Sequence, residues 1–535
     1  MRNQFLIGCF LSTALNLLFF YYWKPGLYSL IVILPLMVFG FVDFFQTRQA
    51  IRRNFPILGN FRYWFEAIRP EINQYFVESN SDGVPFSREQ RSVVYQRAKK
   101  VLDTLPFGTQ KNVYETGHEF VVHSLAPSDF HEDKMRTLVG GPDCKQPYDC
   151  SLFNISAMSY GSLSSNAVLA LNGGAKDGNF AHNTGEGGIS PYHKEHGGDL
   201  IWQIGTGYFG CRNEEGGFDA EKFKERAALK QVKMIEIKLS QGAKPGHGGI
   251  LPAEKLTAEI ASIRGVPMGK DVNSPPAHSA FNSPSSMMHF IKQLRELSDG
   301  KPIGFKLSVG YRYQFIALCK SMIETGIKPD FIVVDGSEGG TGAAPIEFSN
   351  NIGTPGVDAL VFVNNVLMGM GLRDDIKIIS TGKVISGFGI VKQLCLGADI
   401  IYAARSFMLA LGCIQALRCN SNHCPAGVAT QDASLVAGLV VSDKRTRVYN
   451  FHDETIKSAA HILGAMGVYD LSVLNPRYIK RRVSDHVIET YGDFFPFVER
   501  GDFLKGKIPS EYARHFHKAD PDSFTAKVIN GVKAS

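Results

Sequence analysis

The chain has 535 residues and a net charge of +6, from 57 basic and 51 acidic residues. These charges are spread along the chain without a long block of Lys or Arg, which argues against a nucleic-acid-binding protein. Its nine cysteines are unevenly spaced, which argues against a secreted disulfide scaffold and favours a reducing compartment. The length predicts one large catalytic domain with additions at both ends.

The first 46 residues are predicted to form a transmembrane helical hairpin. Residues 5–22 and 27–42 carry no charge, and only Trp23, Lys24, Pro25 and Gly26 separate them. Each stretch is close to the minimum length that spans a bilayer as a helix. A cleavable signal peptide is the alternative, but residues 21–25 offer no small-residue cleavage site.

Basic residues predict the orientation of this hairpin. Arg2 precedes the first stretch, and Arg48, Arg52 and Arg53 follow the second, whereas the turn contains only Lys24. Since basic residues favour the cytoplasmic side, both ends are expected in the cytoplasm. The predicted location is therefore the inner (cytoplasmic) membrane, with the catalytic domain facing the cytoplasm.

Residues 47–150 read as a helical adaptor segment. Residues 88–105 carry many Gln, Arg and Lys with spaced Val, Tyr and Leu, which predicts an amphipathic surface helix. The segment contains no recognisable set of catalytic residues. We expect it to serve connection and packing.

From residue 151 to residue 432, short apolar runs alternate with helical segments. Continuous Ile, Val and Leu runs are typical of parallel strands covered on both faces. The predicted strands are 152–157, 179–182, 200–204, 233–239, 302–308, 331–335, 377–380 and 399–403. The predicted helices include 253–264, 285–297, 313–325, 357–370 and 389–396. Eight strands alternating with helices predict an α/β fold, a (β/α)8 TIM barrel.

Glycine-rich loops follow most of the predicted strands. Examples are AMSYGS after the first, NTGEGG after the second, SQGAKPG after the fourth and DGSEGGTG after the sixth. Active sites of such barrels lie at the carboxyl ends of the strands, and the last two loops commonly hold a phosphate. A phosphate-bearing cofactor is expected there, with Lys306 at the top of the barrel facing it.

Three cysteines near the end of this region, Cys413, Cys419 and Cys424, lie in the run GCIQALRCNSNHCP. Three thiolates without a fourth suit an iron–sulfur cluster better than tetrahedral zinc. A zinc site completed by His423 and a set of inert buried cysteines remain the alternatives. A cluster passes single electrons and most metabolic reductions need a hydride, so a flavin that handles both is expected, and FMN matches a single phosphate site.

Several motifs together resemble the FMN-binding synthase domain of glutamate synthase, over roughly residues 106–432. They are SAMSYGSLS, NTGEGG, MIEIKLSQGAKPGHGG, SPPAH, DGSEGGTGAAP and GCIQALRCNSNHCPAGVATQ, in the family's order. The resemblance implies a (β/α)8 barrel with FMN and a [3Fe-4S] cluster on Cys413, Cys419 and Cys424. It implies a flavoprotein oxidoreductase of glutamate biosynthesis, which reduces 2-iminoglutarate, formed from 2-oxoglutarate and ammonia, to L-glutamate.

Roles for individual residues follow from this resemblance as hypotheses. Lys238, Gln241 and Lys244 are expected to bind a dicarboxylate, because desolvated carboxylates need cations or strong donors. Glu186 is expected to bind the ammonium or imine or to assist proton transfer. The expected flavin contacts are Ser156, Met158, Ser159, Lys306, Gly340, Gly382, Ala404 and Arg405.

The chain also departs from classical glutamate synthases. Met1 and Arg2 stand where those enzymes begin with a glutamine-hydrolysing cysteine, and residues 433–535 form only a small, partly helical C-terminal extension. Ammonia is therefore expected from solution or a partner, and electrons from ferredoxin or a membrane carrier.

Two other functions stay open at the level of sequence. One is an electron-relay subunit, in which flavin and cluster pass electrons between a membrane carrier and a protein partner. The other is an oxidoreductase that acts on a different imino or oxo acid. Lys238, Gln241, Lys244 and Glu186 favour an enzyme, because a relay has no use for a dicarboxylate pocket.

Overall fold

The computed structural model describes residues 2–101, 104–496 and 498–527. The chain divides into two compact units, Met1–Arg88 and Glu89–Ser535. The predicted surface helix 88–105 is present as Arg88–Lys99, and positions 102 and 103 lie outside the described residues, as do Met1 and part of the predicted C-terminal extension. The domain boundaries expected after residues 46, 150 and 432 stay predictions.

The first unit begins with two apolar helices. Helices Arg2–Tyr22 and Leu30–Phe45 are joined by a 3-10 turn, Lys24–Ser29, that starts at the Lys-Pro-Gly sequence. The segments Arg2–Tyr22 and Lys24–Phe45 are long and apolar enough to cross a membrane, by length and composition. The predicted helical pair is thus present, while its insertion into a membrane stays a prediction. The unit continues with helices Ala50–Asn54 and Gly59–Ile72 and the π-helical turn Asn73–Val77.

The second unit is built on eight parallel strands that form a closed barrel. β8 hydrogen-bonds to β1, with Ile401 opposite Phe153 and Ala403 opposite Ile155, which closes the sheet. The barrel strands are β1 (Phe153–Ile155), β2 (His182–Asn183), β3 (Leu200–Ile204), β4 (Val232–Lys238), β5 (Ile303–Leu307), β6 (Phe331–Asp335), β7 (Lys377–Thr381) and β8 (Ile400–Ala403). This confirms the predicted TIM barrel.

Helices cover the outside of the barrel. Several begin at a side-chain cap that their sequence supplies: Ser164, for example, accepts a hydrogen bond from the Ala167 N–H at 3.2 Å. In chain order from β1 to β8 the helices between the strands are Ser165–Asp177, Pro191–Lys194, Ala220–Ala227, Ala258–Arg264, Pro284–Leu297, Arg312–Thr325, Ile346–Asn351, Gly356–Gly369 and Gly387–Cys395. Of these, Ala258–Arg264 lies at the carboxyl ends of the strands rather than on the outside.

After β8 the chain forms helix Arg405–Leu411, the cysteine-containing loop, the short helix Ala433–Val436 and the long helix Val441–Ala465. The long helix packs against Ser165–Asp177, Gly387–Cys395 and Arg405–Leu411, so it completes the ring of helices around the barrel. Glycine permits this close approach, because a Cβ at Gly174 would lie 2.5 Å from Val448 Cγ1.

Small elements flank the barrel. Strand Lys480–Arg482 pairs with Glu119–Phe120 and Ile488–Thr490 in an antiparallel sheet, and Arg136–Val139 pairs with Tyr148–Ser151 before β1. The C-terminal part also contains helices Tyr491–Phe494 and Ser510–Lys518. The side chain of Tyr512, in the last helix, is buried against Phe362 of helix Gly356–Gly369. This end of the described chain therefore packs on the outer helices of the barrel.

Candidate active site

The chain between β4 and helix Pro284–Leu297 makes a long excursion across the carboxyl ends of the barrel strands. Two short strands within it, Ile250–Leu251 and Val272–Asn273, pair in antiparallel fashion. Between them lies helix Ala258–Arg264, whose cap Thr257 accepts from the Ile260 N–H at 3.3 Å. This excursion contributes several buried polar side chains to the mouth of the barrel.

A buried ion pair lies at the centre of the mouth. Lys238, the last residue of β4, donates from Nζ to Oε1 of Glu186, in the loop after β2, across 2.9 Å. The two side chains are 11% and 17% exposed. Backbone surrounds the carboxylate closely: a Cβ at Gly249 would lie 2.3 Å from Glu186 Oε1, and one at Gly205 would lie 2.4 Å from Oε2. A side chain at Gly249 or Gly205 would displace this carboxylate from its place.

Two further cations surround Glu186. Burial raises the pKa of Glu186, but the charges of Lys238, Arg264 and Lys244 outweigh it, and the pKa is lowered from its ordinary value. Burial, reinforced by repulsion from Lys238, lowers the pKa of Lys244 to about 8. Burial lowers the pKa of Arg264 to about 10, although Glu186 opposes the shift. Three cations therefore share one carboxylate, which leaves an excess of positive charge in a desolvated site.

His278, in the SPPAH motif, supports the end of β4. Its Nε2 lies 2.9 Å from the carbonyl oxygen of Lys238, and its Nδ1 lies 3.0 Å from the Tyr208 hydroxyl. Because a carbonyl only accepts, Nε2 carries the proton and Nδ1 accepts from Tyr208. Burial lowers the pKa of His278 to about 4, so the ring is neutral and acts as a fixed brace for the backbone at Lys238.

The loops after β1 and β2 touch each other. A Cβ at Gly185 would lie 2.6 Å from the Ser159 nitrogen, so this glycine permits the contact. Ser159 and Met158 are both almost buried here. Arg264 reaches the same loop, with Nη2 3.4 Å from Ser159 Oγ and 3.2 Å from the Tyr160 carbonyl. The predicted flavin loop and the cationic cluster are therefore neighbours.

A second group of predicted residues meets across β1, β7 and β8. The Ser156 N–H donates to the Ala403 carbonyl at 2.9 Å, and its hydroxyl lies 3.4 Å from Thr381 Oγ1.

Lys306 on β5 pairs with Asp335 at the end of β6, with Nζ and Oδ2 3.2 Å apart and both side chains buried. The cation expected to face the flavin is thus held in position by a neighbouring carboxylate.

Arg405 and Lys383 lie close together after β8 and β7. Burial, and then repulsion from Arg405, lowers the pKa of Lys383, while Glu338 opposes the shift. Arg405 donates from Nη2 to the Glu338 carbonyl at 2.5 Å, and a Cβ at Gly340 would lie 2.7 Å from Arg405 Nε. Two cations close to one another at this position suit a phosphate.

Glu338, in the loop after β6, lies beside Arg405. Its Oε2 accepts from the Gly356 N–H at 2.9 Å, at the start of helix Gly356–Gly369. A Cβ at Gly382 would lie 3.7 Å from Glu338 Oε1 and near no other atom, so the space beside Gly382 is open. Ala404 lies between β8 and Arg405, as the cap of helix Arg405–Leu411.

A polar layer lies inside the barrel, deeper than the mouth. Glu236, on β4, is fully buried and accepts hydrogen bonds from Asn183 at 3.1 Å and from Gln203. Burial raises the pKa of Glu236, although Lys306 and the two amides oppose the shift. Glu236 is thus a buried carboxyl group whose two oxygens both have amide partners.

The cysteine loop lies at the same end of the barrel. Gly412 and the residues Gln415, Leu417 and Asn422 all have positive φ, which winds the loop tightly. Burial raises the pKa of Cys413 to about 12, and the neighbouring Cys419 and Cys424 contribute to the rise. The three thiols therefore lie near one another. Among the described residues, no group of three His, Cys, Asp or Glu side chains is arranged to hold a metal ion, so both the cluster and the zinc alternative with His423 stay predictions.

Lys255 joins the cysteine loop to the loop after β1. Its Nζ donates to the carbonyl oxygens of Ser162 and Cys419, at 3.0 Å each, and the side chain is 2% exposed. Burial lowers the pKa of Lys255 to about 8, while Cys419 and Cys424 oppose the shift. A buried ammonium thus lies between the predicted flavin loop and the cysteines.

The structure brings Glu186, Lys238 and Lys244 together at the barrel mouth. Gln241 lies in the same loop as Lys244, and its carbonyl oxygen accepts from the Lys244 N–H at 3.4 Å. The predicted flavin contacts lie in the segments after β1, β6, β7 and β8, and Lys306 lies on β5. The roles proposed for these residues stay predictions. Sequence reasoning missed Arg264, Lys255 and Glu236. Glu236 precedes Lys238 by two positions on the same strand, and this spacing could have identified it, since alternate residues of a strand share a face.

A cavity of about 590 Å³ lies at the opposite end of the barrel, lined by residues that include Lys377, Asp399 and Arg136. Lys377 begins β7 and Asp399 precedes β8, so this cavity opens at the amino ends of the strands. Because active sites of TIM barrels are built at the carboxyl ends, the cationic mouth is the candidate site.

Comparison with known proteins agrees with the motifs. Glutamate synthase large subunit-like protein YerD of Bacillus subtilis is 36% identical over 482 residues, which cover 82% of this chain and 91% of that protein. An archaeal glutamate synthase (NADPH) of Methanocaldococcus jannaschii is 33% identical over 66% of this chain and 66% of its own length. Among solved structures, the flavin-binding domain of baker's yeast flavocytochrome b2 has a TM-score of 0.42 and 13% identity, over 86% of this chain and 94% of that one.

Residues 126–469 match the family model of the conserved region in glutamate synthase. The matched segment includes all eight barrel strands, the cationic mouth and the cysteine loop. The chain therefore belongs to the glutamate synthase family of oxidoreductases.

Proposed function

We propose that this protein reduces 2-iminoglutarate, formed from 2-oxoglutarate and ammonia, to L-glutamate, using FMN and an iron–sulfur cluster. The observation that carries the proposal is the arrangement of Lys238, Lys244 and Arg264 around Glu186 at the barrel mouth. Three cations and one carboxylate leave two positive charges uncompensated, which matches the two carboxylates of the substrate. A desolvated dicarboxylate needs this compensation.

The same residues divide the work of binding an imino acid. Lys244 and Arg264 are suited to the substrate carboxylates, because each is nearly buried and each is placed to gain from a new anion. Glu186 keeps its negative charge and is suited to the positively charged imine nitrogen. Lys238 holds Glu186 in place at 2.9 Å. Lys244, with a pKa of about 8, can also hold or give up a proton near neutral pH.

FMN as the cofactor is supported by membership of the family and by the residues after β6, β7 and β8. Arg405 and Lys383 form a paired cationic site beside the open space at Gly382, which suits one phosphate. Lys306 on β5, fixed by Asp335, is the cation expected to face the flavin. When bound, FMN supplies the hydride and the cluster supplies single electrons.

The cysteine loop supports a [3Fe-4S] cluster by its chemistry. Cys413, Cys419 and Cys424 are three thiols of one tightly wound loop, close enough to affect one another electrostatically. These three thiolates would hold the cluster, which would pass single electrons. Lys255 would add a positive charge beside the anionic cluster.

Membrane attachment is part of the proposal. The two N-terminal helices are long and apolar enough to span a bilayer, and Arg2, Arg48, Arg52 and Arg53 flank their free ends. We propose a hairpin in the cytoplasmic membrane with the barrel in the cytoplasm, receiving electrons from ferredoxin or from a carrier in the membrane.

A substrate comparison tests this function. Full-length protein is purified in detergent, its flavin is reduced anaerobically, and reoxidation is followed after addition of ammonium with 2-oxoglutarate, oxaloacetate or pyruvate. We expect rapid reoxidation with 2-oxoglutarate, slower reoxidation with the shorter dicarboxylate and none with the monocarboxylate. Equal rates with all three would contradict the dicarboxylate site, and reoxidation by quinone or ferredoxin alone would favour an electron relay.

A further inference from the structure

Helix Gly59–Ile72, which follows the apolar hairpin, carries an aromatic face. Phe61, Trp64, Phe65, Ile68 and Ile72 recur at the spacing that places side chains on one side of a helix. Phe61, Trp64 and Phe65 are 55%, 55% and 54% exposed. Three large rings exposed side by side form an apolar surface that a soluble helix rarely presents to water.

The other side of this helix is polar. Arg62 and Glu66 pair across one turn, with Nη2 and Oε1 3.8 Å apart, and both are exposed. The π-helical turn Asn73–Val77 then extends the apolar surface with Tyr75 and Phe76, of which Phe76 is 85% exposed. An aromatic face opposite a charged face is the pattern of a helix that lies in a membrane interface.

Asp43 fixes the position of this helix relative to the hairpin. Its carboxylate is fully buried near the end of helix Leu30–Phe45 and accepts from Arg52 Nε at 2.7 Å and from the Ile57 N–H at 3.0 Å. The amide of Asn60, in the first turn of Gly59–Ile72, also donates to it. A buried carboxylate is stable only with such partners, so the helix start is tied to the end of the second apolar helix.

Close backbone packing reinforces this connection. A Cβ at Gly59 would lie 2.8 Å from the Arg52 Cα, so the start of the helix lies directly against the preceding segment. At the same end of the hairpin, Arg2 lies over the Phe44 ring at 4.1 Å, and Phe5 meets Phe41 with ring centroids 5.4 Å apart. The helix therefore begins at the end of the hairpin where both apolar helices have their charged termini.

We propose that the aromatic face of Gly59–Ile72 is a second membrane anchor, lying in the headgroup region of an anionic bilayer. Trp and Phe are favoured at this depth. From residue 43 to residue 72 the chain carries Arg48, Arg52, Arg53, Arg62 and Arg69 against Asp43, Glu66 and Glu71, and this excess of two positive charges matches anionic lipid. The inference goes beyond the proposed enzymatic function and rests on the membrane insertion proposed for the hairpin.

The tryptophans of the chain allow a direct test. There are three: Trp23 in the hairpin turn, Trp64 in the aromatic face, and Trp202, which is fully buried against Phe223 in the barrel wall. Full-length Trp23→Phe protein reports on Trp64, and full-length Trp64→Phe protein reports on Trp23. Each variant is incorporated into phosphatidylglycerol vesicles with brominated or ordinary acyl chains, and fluorescence is compared.

We expect the Trp23→Phe protein to lose emission in brominated lipid and to show blue-shifted Trp64 fluorescence. If it keeps its emission while the Trp64→Phe protein is quenched, the hairpin is inserted and the second anchor is refuted. If neither variant is quenched, membrane insertion of the hairpin is itself refuted, and the second anchor with it. If Trp64 fluorescence is blue-shifted but not quenched, and the protein can be cross-linked as a dimer, a second copy covers this face. That result also overturns the proposal.

Discussion

Nζ of Lys238 lies 2.9 Å from Oε1 of Glu186, and this contact joins the end of β4 to the loop after β2 at the mouth of the barrel. Neither residue is a neighbour of the other in sequence, and each is nearly buried. The pair is the core of a cluster to which a long excursion of the chain adds Lys244 and Arg264.

Glu186→Gln keeps the shape of the side chain and removes its charge. We expect kcat/KM for ammonium-dependent glutamate formation to fall by about 10²-fold, because the positively charged imine nitrogen loses its anionic partner. FMN content should not change. Glu214→Gln, at an exposed carboxylate, is the matched control and should leave the kinetics intact. Wild-type kinetics in Glu186→Gln would remove Glu186 from the reaction.

Lys244 predicts a pH dependence of substrate binding. Its pKa is lowered to about 8, so the ammonium is present below that pH and is lost as the pH rises through it. We therefore expect KM for 2-oxoglutarate to rise above about pH 8. Lys244→Arg should move this rise in KM to higher pH. Lys244→Met should raise KM by about 10- to 100-fold at neutral pH, the value of one charged hydrogen bond. If KM of Lys244→Arg rises at the same pH as in the wild type, the rise is due to the titration of another group.

Lys255→Met removes the ammonium that bridges Ser162 and Cys419. We expect the free energy of unfolding to fall by about 1–2 kcal/mol, because two buried carbonyls lose a donor. The reduction potential of the proposed cluster should also fall, because a nearby positive charge stabilises the reduced form. Potentiometric titration followed by electron paramagnetic resonance measures this, with Lys255→Arg as the charge-preserving control. An unaltered potential would show that Lys255 acts only on the loop structure.

Cys419→Ser tests the cluster itself. Serine is a poor ligand for iron, so iron and acid-labile sulfide should fall below wild-type content while FMN stays bound. Cys144→Ser is the control, since Cys144 lies outside the cysteine loop and its thiol donates to the Gly300 carbonyl, a bond that serine can keep. Equal iron in both variants would mean that Cys419 is not a ligand.

The barrel was predictable because its strands are short, continuous apolar runs. β3 and β6 have the predicted bounds. β2 consists only of His182 and Asn183 rather than the predicted 179–182, because Asn179 has a φ of 49° and cannot begin a strand. Its second residue already belongs to the polar NTGEGG loop, so no apolar pattern marks its end.

The site was predictable where the motif directly follows a strand, as for Glu186, Lys238 and the residues after β7 and β8. Arg264 and Lys255 were not predictable in this way. Both lie in the excursion after β4, one at the end of a helix and the other in a 3-10 turn, and no local pattern shows that the excursion folds over the barrel mouth. Long-range contacts, not propensities, bring these two cations to the site.

The central claim is that the cationic mouth reduces an imino acid made from 2-oxoglutarate and ammonia. A single-turnover experiment with ¹⁵N-ammonium tests it most directly: the reduced full-length protein is mixed anaerobically with ¹⁵N-ammonium and 2-oxoglutarate, and product and flavin oxidation are measured together. We predict one ¹⁵N-labelled L-glutamate for each flavin oxidised, and a much slower reaction in Glu186→Gln. Flavin oxidation without labelled glutamate would contradict the claim.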